Sequence, residues 1–528
     1  MKSNWKKSAG TILAALFVMG TAGCGGGDKK VDTGKVAVAK NSLKVGVADF
    51  TESPESAGNN LGLQFVRYGI GETLIKFDKN MNVIPWLAES WKISGDKLIW
   101  TFKIKDKATF SSGNKVTGDA AAKSLRRTFE KAALAKAVFE YDSIEGEGQN
   151  VIIKTKYPVP ALPKILGDPL WMITDTSIKD RDNVKMGPVG TGPYTVKTFS
   201  KTKCMLERNE NYWDGKAPFK NLEIHTIDES KSRAMALKKG EIDVAVNVAS
   251  GDLGLFRDDK HFRVSECDSV SCVLARLTVK EGRTLSDKRI REALASALDR
   301  QTYCKVLLKD TFISGGPVLP PSVNHDFDAL IKLDKNQYNV GRTRKLLAEA
   351  GWKDTNNDGF VDKNGKNLEL DCYFCGSHAE HSLFAEATRS DAKKAGIRVN
   401  LKIADSNEID KLDREGTGDL CISHVLTVQG DTGVFMDTYI KTGKKGSGYS
   451  NVRYDELSDK LAVEFDPAKR RALMVEMEKA VLEEVPVIVY GYPRTNIISK
   501  TEIANADIQP CDYYWITKDW KPAANDFQ

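Results

Sequence analysis

The sequence lacks most of the features that mark an enzyme or a membrane-spanning protein. It has only six histidines among 528 residues, and it contains no G-x-S-x-G, H-E-x-x-H or Walker A motif. A nucleophile elbow, a zinc-protease helix and a phosphate-binding loop are therefore not encoded. No apolar run after residue 23 is long enough to cross a bilayer. We expect no catalytic residue, and any ATP hydrolysis coupled to this protein must come from a partner.

A large excess of charge of one sign is also missing. The formal net charge is +6, and Lys2, Lys6 and Lys7 supply three of these charges at the very start of the chain. The rest contains no basic block with interleaved aromatic residues, so nucleic-acid binding is not indicated. With 41% hydrophobic and 28% charged residues, the composition is that of a soluble globular protein.

The first 40 residues read as an export signal followed by a tether. The three lysines form a cationic region, Ala9 to Gly20 is a short apolar stretch, and Thr21-Ala22-Gly23-Cys24 ends it with small residues. This ending resembles a bacterial lipobox, with residues 1–23 as signal peptide and Cys24 as the acylated N-terminus. The alternative is an ordinary cleaved signal with an incidental cysteine. Residues 24–40 are polar and glycine-rich, as in a flexible tether.

Eight cysteines follow Cys24. They are compatible with disulfides in an oxidising compartment, and equally with free thiols in an organism that lives without oxygen.

Length and periodicity predict more than one α/β lobe. A chain of this length exceeds what one hydrophobic core usually serves. Predicted strands and predicted helices alternate along it, which is typical of α/β folds. The strands are predicted at Leu43–Val47, Leu98–Ile104, Asn150–Tyr157, Leu368–Phe374 and Val485–Tyr490. The helices are predicted at Thr117–Lys131, Asp287–Leu308, Gly341–Ala350, Leu383–Ala395 and Pro467–Glu484.

Several segments resemble family 5 of the bacterial solute-binding proteins, the peptide- and nickel-binding group. The resemblance begins at Tyr68–Trp91 (YGIGETLIKFDKNMNVIPWLAESW) and continues, in order, over most of residues 43–500. The other matching segments are Trp100–Phe102, Phe110–Gly113, Gly190–Tyr194, Arg208–Gly215 (RNENYWDG), Arg291–Leu294 with Asp299–Arg300, Ala350–Trp352 and Tyr449–Asn451.

The resemblance implies a two-lobed type II periplasmic-binding-protein fold with a ligand cleft between the lobes. Lobe one would comprise residues 41–270 and 492–528, and lobe two residues 271–491, with crossings near Ser271–Thr278 and Val485–Pro493. It also implies an extracytoplasmic, lipid-anchored receptor that needs no cofactor. Such a receptor closes on a small ligand and delivers it to the permease and ATPase subunits of an ABC importer.

The resemblance places ligand contacts on loops that border the cleft. The candidate ligand-binding residues are Asn59, Gln64, Tyr68, Glu72, Phe139, Asp168, Trp171, Gln429, Asp431 and Asn451.

Two ligand classes stay open, short peptides and nickel or other metal chelates. The nickel branch holds chelate carboxylates with arginine, but Asp168 stands near the expected position and would attract an amine or a cation. Asp431 fits the α-amino group of a peptide, or it simply caps a turn. We therefore lean toward peptides.

A second function of another class rests on Cys372, Cys375, His378 and His381, spaced as C-x2-C-x2-H-x2-H. Thiolate and imidazole are ligands for zinc, nickel or copper, which suggests a metal-binding or redox protein. Against this, Cys372 and Cys375 would point to opposite faces of a regular strand.

A weaker metal motif resembles the start of a calcium loop. Asp354, Asn356, Asp358, Gly359 and Asp362 have suitable spacing, but position twelve is Gly365 where a bidentate Glu is needed. An Asx-rich turn is the alternative.

Overall fold

The structure is a computed structural model, and it describes residues 41–48, 50, 56–57, 61–178, 187–376, 378–427, 432–444 and 446–524. The predicted signal peptide, the tether and Cys24 lie outside these residues. No helix among the described residues combines the length and the apolar character that a bilayer crossing requires.

The first half of the chain, to residue 268, is a mixture of short strands and helices. Its strands are β1 Ser42–Val47, β2 Ile75–Phe77, β3 Val83–Pro85, β4 Ala88–Ile93, β5 Ile99–Ile104, β6 Tyr141–Glu147, β7 Asn150–Thr155, β8 Tyr194–Phe199, β9 Lys203–Arg208, β10 Asn221–Thr226, β11 Val244–Val246 and β12 Phe262–Asp268. Its helices are α1 Leu61–Arg67, α2 Gly118–Lys131, α3 Ala133–Val138, α4 Leu162–Ile165, α5 Ser230–Lys238 and α6 Ser250–Arg257, with a 3-10 turn at Pro169–Trp171.

The second half has longer helices between its strands. Its strands are β13 Ser271–Leu277, β14 Phe312–Ser314, β15 Asp362–Lys363, β16 Lys366–Asn367, β17 Glu369–Cys375, β18 Arg398–Ala404, β19 Leu420–Leu426, β20 Val487–Lys500, β21 Ile503–Ala504 and β22 Lys521–Pro522. Its helices are α7 Lys288–Ala297, α8 Arg300–Thr302, α9 Phe327–Leu333, α10 Val340–Glu349, α11 Ala379–Lys394, α12 Ser406–Glu415, α13 Thr432–Ile440, α14 Val452–Val463 and α15 Pro467–Glu484. A 3-10 turn lies at Thr284–Ser286 and a π-helical turn at Tyr303–Leu307.

One long strand, β20, joins two sets of strands. Its first part pairs with β13, and its second part pairs with β11 and β12. On one side the order continues through β19, β17 and β18, and on the other through β1, β10, β9 and β8. A separate four-stranded antiparallel sheet has the order β4-β5-β7-β6.

The buried core divides in the same way. Three clusters draw their residues from 43–270 and 497–520, and we call this part the first lobe. The other three draw theirs from 272–492, which we call the second lobe. Because the two sets of clusters are separate and are joined mainly by β20, each lobe has a packed core of its own. Both lobes mix helices with sheets, as predicted.

Two predicted elements differ most from those observed, whereas the strand predicted over Asn150–Tyr157 ends only two residues early at Thr155 and the helix predicted over Leu383–Ala395 begins four residues earlier, at Ala379. The helix predicted over Asp287–Leu308 breaks at Leu298, because Asp299 caps a new turn by accepting a 3.1 Å hydrogen bond from the Thr302 N–H. The strand predicted to end at Tyr490 continues to Lys500, because the strands of the first lobe pair with its second part.

Candidate ligand-binding site

A cavity of about 680 Å³ lies between the two lobes. Small-molecule sites are typically clefts of about 300–1,000 Å³, so this volume suits a small solute. Its first-lobe wall is made of Phe77, Asn80, Met81, Asn82, Val83, Trp91, Pro160, Ala161, Pro163 and Lys164. Its second-lobe wall is made of Leu319, Val323, Asn324, His325, Asp326, Thr432, Phe465, Pro467, Ala468, Arg470, Arg471, Met474, Val475 and Glu478.

Helix α15 supplies most of the second-lobe wall. The Asp466 carboxylate caps it by accepting a 2.9 Å hydrogen bond from the Lys469 N–H, and Pro467 occupies the first turn. The wall residues on this helix recur at intervals of three and four, which puts them on one helical face. This face turns Arg471 toward Asp326, and the two side chains form a bidentate ion pair at 2.6 and 2.8 Å.

Phe465, just before α15, reaches across to the first lobe. Its ring packs against the first-lobe cluster that contains Trp100 and Phe102. The Lys97 ammonium of the first lobe lies 5.3 Å from the ring centroid. Phe465 is thus a contact between the lobes at the rim of the cavity.

Glu478 lies at the inner end of the α15 face and is almost completely buried. Its two oxygens accept hydrogen bonds of 2.8 Å from the N–H groups of Val318 and Leu319. Burial nevertheless raises the pKa of Glu478 to about 7. This carboxylate therefore fixes the loop at Val318 and Leu319 against α15 within the second-lobe wall.

Three aromatic candidates from the sequence are buried in the first lobe. Phe139 and Trp171 pack on each other at 5.5 Å and on Phe129. Tyr68 packs between Phe50 and Trp515 at 4.9 and 5.7 Å. All three side chains are at most 1% exposed, so they offer a ligand no surface in this conformation. Their ligand contacts stay a prediction.

Glu72 is also enclosed in the first lobe. Its two oxygens accept 2.8 Å hydrogen bonds from the Tyr212 hydroxyl and the Trp213 indole N–H. Desolvation outweighs these bonds and raises its pKa to about 7.

The polar candidates Asp168 and Asn451 cap turns. Asp168 accepts hydrogen bonds from the Leu170 N–H at 2.9 Å and the Tyr513 hydroxyl at 2.8 Å, and burial raises its pKa. Asn451 caps α14 through the Tyr454 N–H at 2.9 Å. Gln64 lies half-buried on α1.

None of these described candidates lines the inter-lobe cavity. The remaining candidates, Asn59, Gln429 and Asp431, lie outside the described residues, although Thr432, which follows Asp431, is part of the cavity wall. Sequence reasoning missed the α15 face and Phe465. Asp466 and Pro467 mark the start of α15 in the sequence, but no apolar stripe along the helix distinguishes its cavity face.

Cys372, Cys375, His378 and His381 do not form one site. Cys372 belongs to the large core of the second lobe, whereas Cys375 packs on the opposite face of β17 with Ile409 and Cys421. Within the described part of the chain, no three His, Cys, Asp or Glu side chains lie close enough to hold a metal ion by themselves. No disulfide joins any of the eight cysteines after Cys24, all of which lie among the described residues.

The residues that resemble a calcium loop form an Asx-rich turn instead. Asp354 accepts a hydrogen bond from the Gly359 N–H, Asn356 from Asp358 and Asp358 from Phe360, at 2.9–3.0 Å. These oxygens serve the local backbone rather than an ion.

Comparisons with known proteins agree with this geometry. The family model "Bacterial extracellular solute-binding proteins, family 5 Middle" matches residues 82–447. The nickel-binding periplasmic protein of Escherichia coli K12 is 25% identical over 470 residues, which are 84% of this chain and 88% of that protein. The oligopeptide-binding protein AppA of Bacillus subtilis is also 25% identical over 470 residues, or 85% of each chain.

Solved structures show the same fold. NikA from Brucella suis in complex with Fe(III)-EDTA has a TM-score of 0.83 at 21% identity, over 91% of this chain and 100% of that one. NikA from Staphylococcus aureus in complex with Ni(L-His)2 has a TM-score of 0.76 at 23% identity, over 92% and 100%.

Proposed function

Since this chain belongs to the bacterial extracellular solute-binding proteins of family 5, which bind substrates for transporters, we propose that it captures a small solute between its lobes and hands it to an ABC importer. The observation that carries the proposal is the inter-lobe cavity, whose wall comes from both lobes. A ligand that contacts both walls stabilises the closed arrangement over the open one. The permease and ATPase subunits of the importer are the proposed partners.

The proposed lobe boundaries are residues 41–270 with 492–528, and 271–491. Two observations support them. The hydrophobic clusters separate between Val270 and Cys272, and β20 changes partner strands between Gly491 and Arg494. The chain therefore crosses between the lobes at few places, which suits hinge closure.

We further propose that the protein acts outside the cytoplasm and is anchored by a lipid on Cys24. The charged, apolar and small-residue segments of the leader support this proposal. It is tested by mass spectrometry of the mature N-terminus, where a diacylglycerol adduct on Cys24 is expected and an unmodified terminus contradicts the anchor.

The proposed ligand is a short peptide or a metal chelate. The named relatives that bind nickel and oligopeptides support both classes. The cavity contains aromatic rings at Phe77 and Trp91 beside charged groups at Lys164 and Arg471, so it suits a solute with apolar and charged parts.

The test is a thermal-shift screen of the protein with dipeptides, longer peptides, nickel with histidine, and free metals. A ligand of the folded state raises the stability by about 2.7 kcal/mol at a hundredfold excess over Kd. Ala468→Trp fills the cavity from α15 and should abolish the shift. Lys469→Trp, next to it but not in the wall, should keep it. A ligand that still shifts the Ala468→Trp protein contradicts the proposed site.

A further inference from the structure

The loop between β14 and α9, residues 315–326, contacts the cavity and both lobes, and we call it the wall loop. Val323 packs against a core cluster of the first lobe and against one of the second lobe. The Ser322 hydroxyl donates a 2.7 Å hydrogen bond to the Ser269 carbonyl oxygen of the first lobe. The wall-loop side chains that line the cavity are Leu319, Val323, Asn324, His325 and Asp326. The shape of the wall loop therefore sets part of the cavity and part of the contact between the lobes.

Two contacts with the second lobe hold the ends of the wall loop. Near its start, the Gly316 N–H donates a 3.1 Å hydrogen bond to the Tyr492 hydroxyl on β20. At its end, Asp326 forms the bidentate ion pair with Arg471. The hydrogen bonds from Arg471 lower the pKa of Asp326, and burial raises that of Tyr492. Neither end contact therefore changes its protonation near neutral pH.

Glu478 holds the middle of the wall loop through the Val318 and Leu319 N–H groups, both at 2.8 Å, and its side chain is 1% exposed. An ionised carboxylate accepts hydrogen bonds at both oxygens, whereas a protonated carboxyl turns one of them into a hydroxyl donor. A hydrogen bond to an ionised group is also about twice as strong as one to a neutral group. Protonation of Glu478 therefore loosens the wall loop from α15.

The surroundings of Glu478 leave its charge without a cation. The ionisable side chains within electrostatic reach are buried and uncharged near neutral pH, since burial raises the pKa of each: Cys272 on β13, Tyr454 on α14 and Tyr492 on β20. The charged or titratable side chains that share the cavity are Lys164 on α4, His325 and Asp326 in the wall loop, and Arg470 and Arg471 on α15. Within the described part of the chain, no cation contributes to the pKa of Glu478. Desolvation outweighs its two hydrogen bonds and raises this pKa to about 7.

We propose that Glu478 is a positioning residue for solute capture: its carboxylate keeps the wall loop in the shape that lines the cavity and contacts the first lobe, so capture is linked to the ionisation of this carboxyl. The inference rests on the proposed function, since it concerns the same inter-lobe cavity. The second-lobe wall is complete when Glu478 is ionised. With a pKa of about 7, about a tenth of this carboxyl is ionised at pH 6 and about nine-tenths at pH 8, so affinity should be about tenfold lower at pH 6.

Amide hydrogen exchange of the full chain without added solute tests the hold on the wall loop. In the wild type, residues 316–326 should be less protected at pH 6 than at pH 8, after correction for the intrinsic exchange rates. Glu478→Gln keeps one acceptor and no charge, so its wall loop should have the same low protection at both pH values. Equal protection of the wild-type wall loop at pH 6 and pH 8 overturns the proposal.

Calorimetric titration at pH 6 and pH 8 with trialanine, and with nickel and L-histidine, tests the link to capture. These probes titrate themselves, so the measured quantity is the ratio of wild-type affinity to Glu478→Gln affinity, which should rise about tenfold from pH 6 to pH 8. Glu476→Gln is the matched control, because Glu476 pairs with Arg453 and Lys479 on α15 and is not in the cavity wall. Its ratio to the wild type should stay constant.

The failures of the two proposals are distinguishable. If the wild type binds a probe and its affinity ratio to Glu478→Gln is the same at pH 6 and pH 8, the role of Glu478 is overturned and solute capture stands. A wild type that binds neither these probes nor any other member of the thermal-shift panel contradicts the proposed function, and the role of Glu478 with it.

Discussion

Glu72 lies inside the first lobe, where Tyr212 and Trp213 each donate a hydrogen bond to one of its oxygens. The sequence singled it out for the cleft because it stands in a family segment. Its partners are 140 residues further along the chain, and nothing in local periodicity predicts that pairing. The carboxyl is desolvated, and its pKa rises from 4.5 to about 7.

This raised pKa predicts a pH dependence of stability. Between pH 4.5 and 7 the folded state holds the Glu72 proton more tightly than the unfolded state, so its contribution to stability is present at low pH and falls as pH rises. The loss is on the order of 3–4 kcal/mol, because each pKa unit corresponds to about 1.4 kcal/mol. Glu72→Gln keeps an acceptor for Trp213 and removes the titration.

We therefore expect Glu72→Gln to gain free energy of unfolding relative to wild type as pH rises from 5 to 8, measured by urea unfolding. Glu89→Gln is the control, because Glu89 is exposed on β4. Its free energy of unfolding should not rise relative to that of the wild type over this pH range. If the free energies of unfolding of wild type and Glu72→Gln change with pH in parallel, the pKa of the Glu72 carboxyl is not raised in the folded protein.

At the scale of elements, helices with clear end signals could be predicted well. Helix α15 spans the predicted residues, because Asp466 and Pro467 mark its start in the sequence. Strand β20 could not be predicted to its full length. Its second part is held by β11 and β12, whose positions depend on the fold of the first lobe. Pairing over such distances leaves no local pattern.

The cap of α15 is testable, since the helix forms the cavity wall. Asp466→Ala removes the acceptor of the Lys469 N–H and should destabilise the protein by about 1 kcal/mol. Asp466→Asn keeps an acceptor and should retain most of the stability. Thermal unfolding of both variants is the measurement. An equal loss of stability in Asp466→Ala and Asp466→Asn would mean that the charge of Asp466, and not its hydrogen bond to the Lys469 N–H, stabilises the helix.

At the scale of the molecule, the resemblance predicted the two-lobed fold, but not which side chains form the cavity. The walls come from segments as distant as Phe77 and Glu478, and their meeting depends on how the lobes approach each other. The buried Tyr68, Phe139 and Trp171 illustrate the same point. Resemblance to the family indicates which segments lie near the cleft. Whether a given side chain in such a segment reaches the cleft depends on how it packs, and these three side chains are buried.

The contact of Phe465 with the first lobe should favour the closed arrangement. Phe465→Ala removes its packing and the Lys97 contact, so it should weaken ligand binding by about five- to thirtyfold, equivalent to about 1–2 kcal/mol. Val463→Ala, a neighbouring residue that is 54% exposed, is the control. Calorimetric titration with the solute selected by the thermal screen measures both. Unchanged affinity in Phe465→Ala would remove this contact from the closing mechanism.

The most direct test of solute capture is small-angle X-ray scattering of the chain titrated with that solute. Closure brings two packed bodies together around the ligand, so the radius of gyration should fall and saturate at one ligand per chain. Ala468→Trp should show no ligand-dependent change. A radius of gyration that stays constant at saturating ligand in the wild type would contradict capture by lobe closure.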